Sequence, residues 1–116
     1  MQVSVIVPAY NEEIYLSRCL RSLLNQRYSS DNFEIIVIDD ASNDKTSQII
    51  SEFSEHKQII SFRNKKTLGL PASLNRGIKL SSGKFIVRVD ADDFVGRDFI
   101  NFLYQYLYYN KSFSVV

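Results

Sequence analysis

Three apolar, largely β-branched runs constrain this chain most: VSVIV at 3–7, FEIIVID at 33–39 and KFIVRV at 84–89. None shows the polar–apolar alternation of a strand with one wet face. Such runs read as strands covered on both sides, the condition of a parallel sheet with helices on each face. QIISF at 58–62 reads as a further strand. The intervals carry helical spacing instead. Leu16, Cys19, Leu20, Leu23 and Leu24 form one apolar stripe, and Asn11 is expected to cap that helix, with Glu12 and Glu13 in its first turn. Ser42 or Asp44 is expected to cap a second helix bearing Ile49, Ile50 and Phe53. Leu70, Leu74 and Ile78, four apart, mark the apolar side of a third, opened by Gly69 and Pro71. A final amphipathic helix is predicted over roughly 97–109, and FSVV at 113–116 reads as the start of a fifth strand.

The order βαβαβαβαβ with short connections implies an α/β fold. Its sheet is doubly wound, mostly parallel and Rossmann-like, with right-handed crossovers. A length of 116 residues allows one small domain with a single core. The formal net charge of +1, with no block of like charges, leaves no electrostatic footprint for nucleic acid or an anionic membrane surface. No apolar run approaches the roughly 18–20 residues of a membrane span. A strand pattern begins at once, so no signal peptide is read at the start. A cytoplasmic location is expected, membrane-peripheral in a longer form. The lone Cys19 reads as a core thiol and His56, in SEHK, as a solvated residue.

In an open parallel sheet, ligands bind beyond the carboxyl ends of the strands, where the strand order reverses. Strand one runs into PAYNEE, strand two into DDASND and the fourth into DADD. Parallel strands bring those three ends to one edge. Side-chain alternation would put Arg88, Asp90 and, while the strand lasts, Asp92 on one face, with Asp93 opposite. Arg88 interrupts an apolar strand and is expected to pair with Asp90. Asp92 and Asp93 are then left for a hard cation, Mg²⁺ or Mn²⁺.

VSVIVPAYNEE, EIIVIDDASNDKT, GLPASLNRGI and GKFIVRVDADD, in this order and spacing, resemble glycosyltransferase family 2, the inverting nucleotide-sugar transferases of GT-A fold. The resemblance covers essentially the whole chain. It implies transfer of a sugar from a nucleotide-diphosphate sugar, UDP-linked as the leading choice, to an acceptor hydroxyl in polysaccharide biosynthesis. It implies that Tyr10 lies against the base, with Pro8 and Ala9 offering backbone contacts and Glu12 in the same donor-binding group. Asp40 would accept a hydrogen bond from the base, with Asp39 a carboxylate close behind. Asp90 and Asp92 are the DxD pair: Asp92 the direct metal ligand, Asp90 turned to the ribose or a metal-bound water, Asp93 beside them. No contact is carried to Thr67, where the family often has asparagine.

The family's general base and acceptor surface follow the DxD, so both are expected beyond Val116. Residues 1–116 would then be the N-terminal, donor-binding part of such a domain, and no catalytic base is assigned within them. The aromatic surface of the last helix, left uncovered, would favour self-association. Lys65 and Lys66 read as a solvated loop. The alternatives are a non-catalytic nucleotide-binding fragment or a receiver-like, Mg²⁺-binding signalling domain. The latter would want its acid pair after strand one and a lone aspartate after strand three, where this chain has PAYNEE and FRNKK. A dinucleotide-binding domain would want G-x-G-x-x-G after strand one, and none of the four glycines is there.

Overall fold

The computed structural model describes residues 1–110. Their elements run β1 (Val3–Ala9), α1 (Leu16–Leu24), β2 (Phe33–Asp39), α2 (Thr46–Glu52), β3 (Ile59–Arg63), α3 (Leu70–Leu80), β4 (Phe85–Arg88) and α4 (Phe99–Tyr109). The strand anticipated at 113–116 lies outside the described residues. The four described strands form one sheet of order β3-β2-β1-β4 with every pairing parallel. The chain winds outward from β1 through β2 to β3, then α3 carries it back across the sheet to β4 on the other side of β1. The order therefore reverses at β1, and a crevice is expected outside the carboxyl ends of β1 and β4.

Period-two alternation divides the sheet's two covered faces. Val3, Val5 and Val7 of β1 and Phe33, Ile35 and Val37 of β2 join one core with Leu16, Cys19, Leu20 and Leu23 of α1, Ile50 of α2 and Ile100 of α4. All the β1 and β2 residues are buried, which is why neither run needed polar alternation. β3 differs. As an outer strand of the described sheet it leaves Ile60, Ser61 and Arg63 exposed, and β4 on the other rim fully buries only Val87, so the expectation of covered strands holds at the centre of the sheet and fails at its rims.

The opposite face is closed by α3, and not by the side the leucine spacing suggested. Leu70 and Ile78 are 45% and 38% exposed, whereas Ser73 and Gly77 are the helix's buried residues. The reason is distance: a Cβ added to Gly77 would stand 2.6 Å from Ile6 Cγ2, so the helix rests on the sheet through its smallest side chains. The return into β4 is equally close. Glu34, buried on this face, accepts at Oε2 from the Ser4 hydroxyl (2.6 Å), the Ser82 N–H (2.7 Å) and the Ser82 hydroxyl (3.0 Å). Ser4 Oγ in turn accepts the Gly83 N–H at 2.8 Å. A buried carboxylate is tolerated only when so satisfied.

A Cβ at Gly83 would fall 2.5 Å from the Ser4 backbone nitrogen and 2.6 Å from its hydroxyl. Gly83→Ala is therefore expected to lower stability by about 1–3 kcal/mol, since backbone cannot move aside as a side chain can. Urea unfolding of the two proteins measures it; equal midpoints would mean that the loop relaxes freely.

Candidate nucleotide and metal site

The strand ladder continues one residue past three of the strand ends and brings them together. The Asp40 N–H donates to the Ala9 carbonyl (2.9 Å), the Asn64 N–H to the Asp39 carbonyl (2.9 Å) and the Val89 N–H to the Ile6 carbonyl (3.0 Å). Beyond these bonds the loops diverge around a crevice of about 350 Å³. Pro8, Ala9, Tyr10 and Glu12 line it from the end of β1, and Asp40 from β2. Thr67, Gly69, Leu70 and Ser73 form the α3 side, and Arg88, Asp90, Ala91 and Asp92 the β4 side.

The first loop is stitched to the second. Asn11 has φ 52°, in the left-handed region that asparagine tolerates. Its N–H donates to Ser42 Oγ (2.9 Å) and its Oδ1 accepts the Asn43 N–H (3.0 Å). The Glu12 N–H donates to Thr46 Oγ1 at 2.8 Å. Asn11 is therefore no helix cap: α1 begins at Leu16, and Glu12 to Tyr15 form the turn before it. Side-chain partners some thirty residues away outbid the local cap. The N-cap of α2 is Lys45, so neither Ser42 nor Asp44 holds that position: Asp44, one residue earlier, accepts the Thr46 N–H at its Oδ1 (2.8 Å), and Ser42 serves the first loop.

Asp40 anchors the third wall. Its Oδ1 accepts from the Asn64 amide and the Leu68 N–H, both at 2.8 Å, and its Oδ2 from the Gly69 N–H at 2.9 Å. The Thr67 hydroxyl donates to the Asp40 carbonyl at 3.1 Å. Asn64, itself buried, also donates to Ser73 Oγ (3.1 Å) and accepts Arg76 Nη1 (2.7 Å). Gly69 stands at φ 96°, which a side chain would resist. Burial pushes the Asp40 carboxyl up, but the Leu68, Asn64 and Gly69 donors outweigh it and hold the group below the usual aspartate range. The neighbouring Asp39 takes a different path. It pairs with Arg63 and accepts the Ser42 N–H (3.0 Å), and it lines a separate hollow toward α2, not the crevice.

β4 ends at Arg88, earlier than the sequence suggested, so strand alternation does not extend to Asp92. The chain turns instead, with the Asp93 N–H on the Asp90 carbonyl (3.0 Å). This turn gathers Asp90, Asp92 and Asp93, each with a carboxylate oxygen within 4.8 Å of the others, so Asp93 is not opposite its neighbours. Arg88 Nε pairs with Asp90 Oδ1 at 2.7 Å, as expected, while Asp92 and Asp93 are exposed. Three hard oxygen donors this close suit a divalent cation such as Mg²⁺ or Mn²⁺. Burial, then the charges of Asp92, Asp44 and Asp90, push Glu12 above the ordinary glutamate range. Cys19 behind the turn is fully buried, its thiol pushed up to about 12 chiefly by burial, which makes it an inert core residue.

Sequence reasoning grouped Tyr10, Glu12, Asp40, Asp90 and Asp92 correctly around one crevice, with Pro8 and Ala9 beside them. Lys65 and Lys66 are exposed, as read. It missed Asn64, Thr67, Gly69 and Ser73 as walls or supports. Only Gly69 left a signal, as a helix punctuator; Asn64 and Thr67 are ordinary polar residues in a loop, and Ser73 is one within α3.

Replacing Asp40 by Asn puts an amide against three donors. Asp40→Asn is expected to cost about 1–3 kcal/mol at pH 7. The native pKa lies below the unfolded one, so Asp40's contribution is full above about pH 4 and lost as pH falls through the native value. Urea unfolding at pH 7 and at pH 2.5 should show the gap closing; a gap independent of pH would contradict the assignment.

Comparison with known proteins follows the same lines. The sequence profile of glycosyl transferase family 2 matches residues 4–116. Glycosyltransferase GlyA of Streptococcus pneumoniae serotype 4 is 39% identical over 104 residues, covering 90% of this chain and 15% of the relative. Among solved structures, S. aureus TarS 1-349 in complex with UDP-GlcNAc superposes with TM-score 0.88 at 30% identity, over 96% of this chain and 32% of that one. A mannosyltransferase, PcManGT from Pyrobaculum calidifontis, in complex with GDP-Man and Mn²⁺, superposes with TM-score 0.86 at 28% identity, over 91% and 32%. The chain thus spans a third or less of these proteins. Within that span, sequence and fold agree, and the chain belongs to glycosyl transferase family 2.

Proposed function

We propose that this chain carries the donor site of a family 2 glycosyltransferase, binding a nucleoside-diphosphate sugar, UDP-linked, together with Mg²⁺ or Mn²⁺. The observation that supports it best is the meeting of Tyr10, Asp40 and Asp92 on one crevice, from three strand ends far apart in sequence. Tyr10, 46% exposed at the crevice wall, offers an aromatic face on which a base can stack. Asp40 Oδ2 accepts one internal hydrogen bond and keeps a lone pair for the imide N–H of a uracil-type ring. Pro8 and Ala9 provide backbone beside it, and Asp39, turned to Arg63, steadies the end of β2 rather than meeting the ligand.

Asp92 is the direct metal ligand in this reading, with Asp93 beside it. Asp90, half engaged by Arg88, is left one oxygen for the ribose or a metal-bound water. A divalent cation, when bound, supplies Lewis-acid neutralisation of the departing diphosphate. Arg88 keeps Asp90 aimed, and Glu12 adds negative charge at the same wall, which strengthens the pull on a cation. The acceptor hydroxyl must also lose a proton. Each carboxylate around the crevice already has a task, so none is assigned as base. Complexes of TarS with UDP-GlcNAc and of PcManGT with GDP-Man and Mn²⁺ support the ligand class.

Thermal unfolding with UDP, GDP and Mn²⁺, singly and combined, tests this. A ligand bound only to the folded chain at a hundred times its Kd adds about 2.7 kcal/mol. UDP with Mn²⁺ should raise the transition most. Asp92→Asn should erase the Mn²⁺ dependence while leaving the ligand-free transition unchanged. No stabilisation by any nucleotide, or full Mn²⁺ dependence in the variant, would refute the reading.

A further inference from the structure

The turn at 90–93 is built against its own electrostatics: Asp90, Asp92 and Asp93 crowd their carboxylates, and only Asp90 has an ion-pair partner among the described residues. Two consecutive residues of α1 grip its backbone. The Cys19 thiol donates to the Asp90 carbonyl at 3.6 Å, and Arg18 Nη2 donates to the Asp92 carbonyl at 3.1 Å. The arginine is itself held. Its guanidinium carbon lies 4.5 Å from the centroid of the Phe94 ring and 5.1 Å from that of Tyr15. Phe94 follows the turn immediately, and Tyr15 precedes α1. A planar cation can stack on aromatic faces while its in-plane donors reach a carbonyl, which an ammonium does less well. This gives the two exposed rings, Phe94 at 62% and Tyr15 at 45%, a purpose.

We infer that Arg18 is a positioning residue: stacked on Phe94 and Tyr15, its guanidinium pins the Asp92 carbonyl and so presets the turn that offers the carboxylates to a divalent cation. The inference rests on the donor-and-metal reading of the crevice. The charge of Arg18 acts the other way, since a positive group beside the carboxylates weakens their attraction for a second cation. The sign of the effect therefore separates a geometric role from an electrostatic one.

Calorimetric titration of Mn²⁺ into the full chain, at fixed UDP, tests it alongside urea unfolding without metal. Arg18→Met keeps the apolar stem and removes the fork; Arg18→Lys keeps the charge but not the plane. Both are expected to weaken Mn²⁺ binding about ten-fold, the usual scale for groups that orient metal ligands, with the metal-free unfolding midpoint unchanged. Equal or tighter Mn²⁺ binding by Arg18→Met overturns the inference, as does full affinity in Arg18→Lys. So does a lowered midpoint with Mn²⁺ affinity intact. Asp92→Asn, run in parallel, keeps the two ideas apart. Loss of Mn²⁺ binding there, with normal binding in Arg18→Met, removes the role of Arg18 and leaves the metal site standing; a wild-type chain that ignores Mn²⁺ removes both.

Discussion

Everything on the open side of the crevice depends on the carboxylate of Asp40. Three donors converge on it from a loop more than twenty residues away, and two of them are backbone N–H groups that have no strand or helix partner. Without an ionised acceptor at the end of β2, Leu68 and Gly69 would lose those bonds, and α3 would begin from an unanchored Gly69. The cost of burying the charge is offset because every donor is aimed at it. Asn64 extends the same network to Ser73, which seats α3 against the sheet, and to Arg76. One side chain thus couples the floor of the crevice to the placement of a whole helix.

The other wall solves the opposite problem. Asp40 is a single charge surrounded by donors; Asp90, Asp92 and Asp93 are three charges with few. Their turn is held by its backbone, through the Asp93 N–H and the grips of Cys19 and Arg18, while the side chains of Asp92 and Asp93 stay in water. Solvation keeps the repulsion among them small. Across the gap, burial first and then the charges of Asp92, Asp44 and Asp90 hold Glu12 above the ordinary glutamate range. Under the proposed donor reading, the hydrogen-bonded anion on one side would meet the base and the anionic turn on the other the cation.

Much of this was legible in the sequence because strand burial and strand polarity are local signals. VSVIV and FEIIVID announce a covered parallel sheet, and parallel strands oblige PAYNEE, DDASND and DADD to share an edge. What misled was tertiary override. Asn11 looks like a helix cap until Ser42 and Asn43 claim it. The leucine spacing of α3 suggests its inner side, yet close approach to Ile6 selects Ser73 and Gly77 instead. Asp39 and Asp40 are adjacent letters sent to different hollows, since neighbouring side chains leave a strand on opposite faces. Asn64 and Arg18 carry no motif at all; their roles exist only once the loops are in place.

In the proposed function, three distant loops form one ligand site with a base end and a cation end. Amide shifts of the ¹⁵N-labelled chain, mapped on adding UDP with Mg²⁺, test it most directly. The largest changes are expected at Tyr10, Glu12, Asp40, Leu68, Gly69 and Asp92 together, with Ser54 to Lys57 at the far end of the sheet unmoved. Changes confined to one of the three loops, or centred on the α2 and β3 side of the molecule, would contradict it.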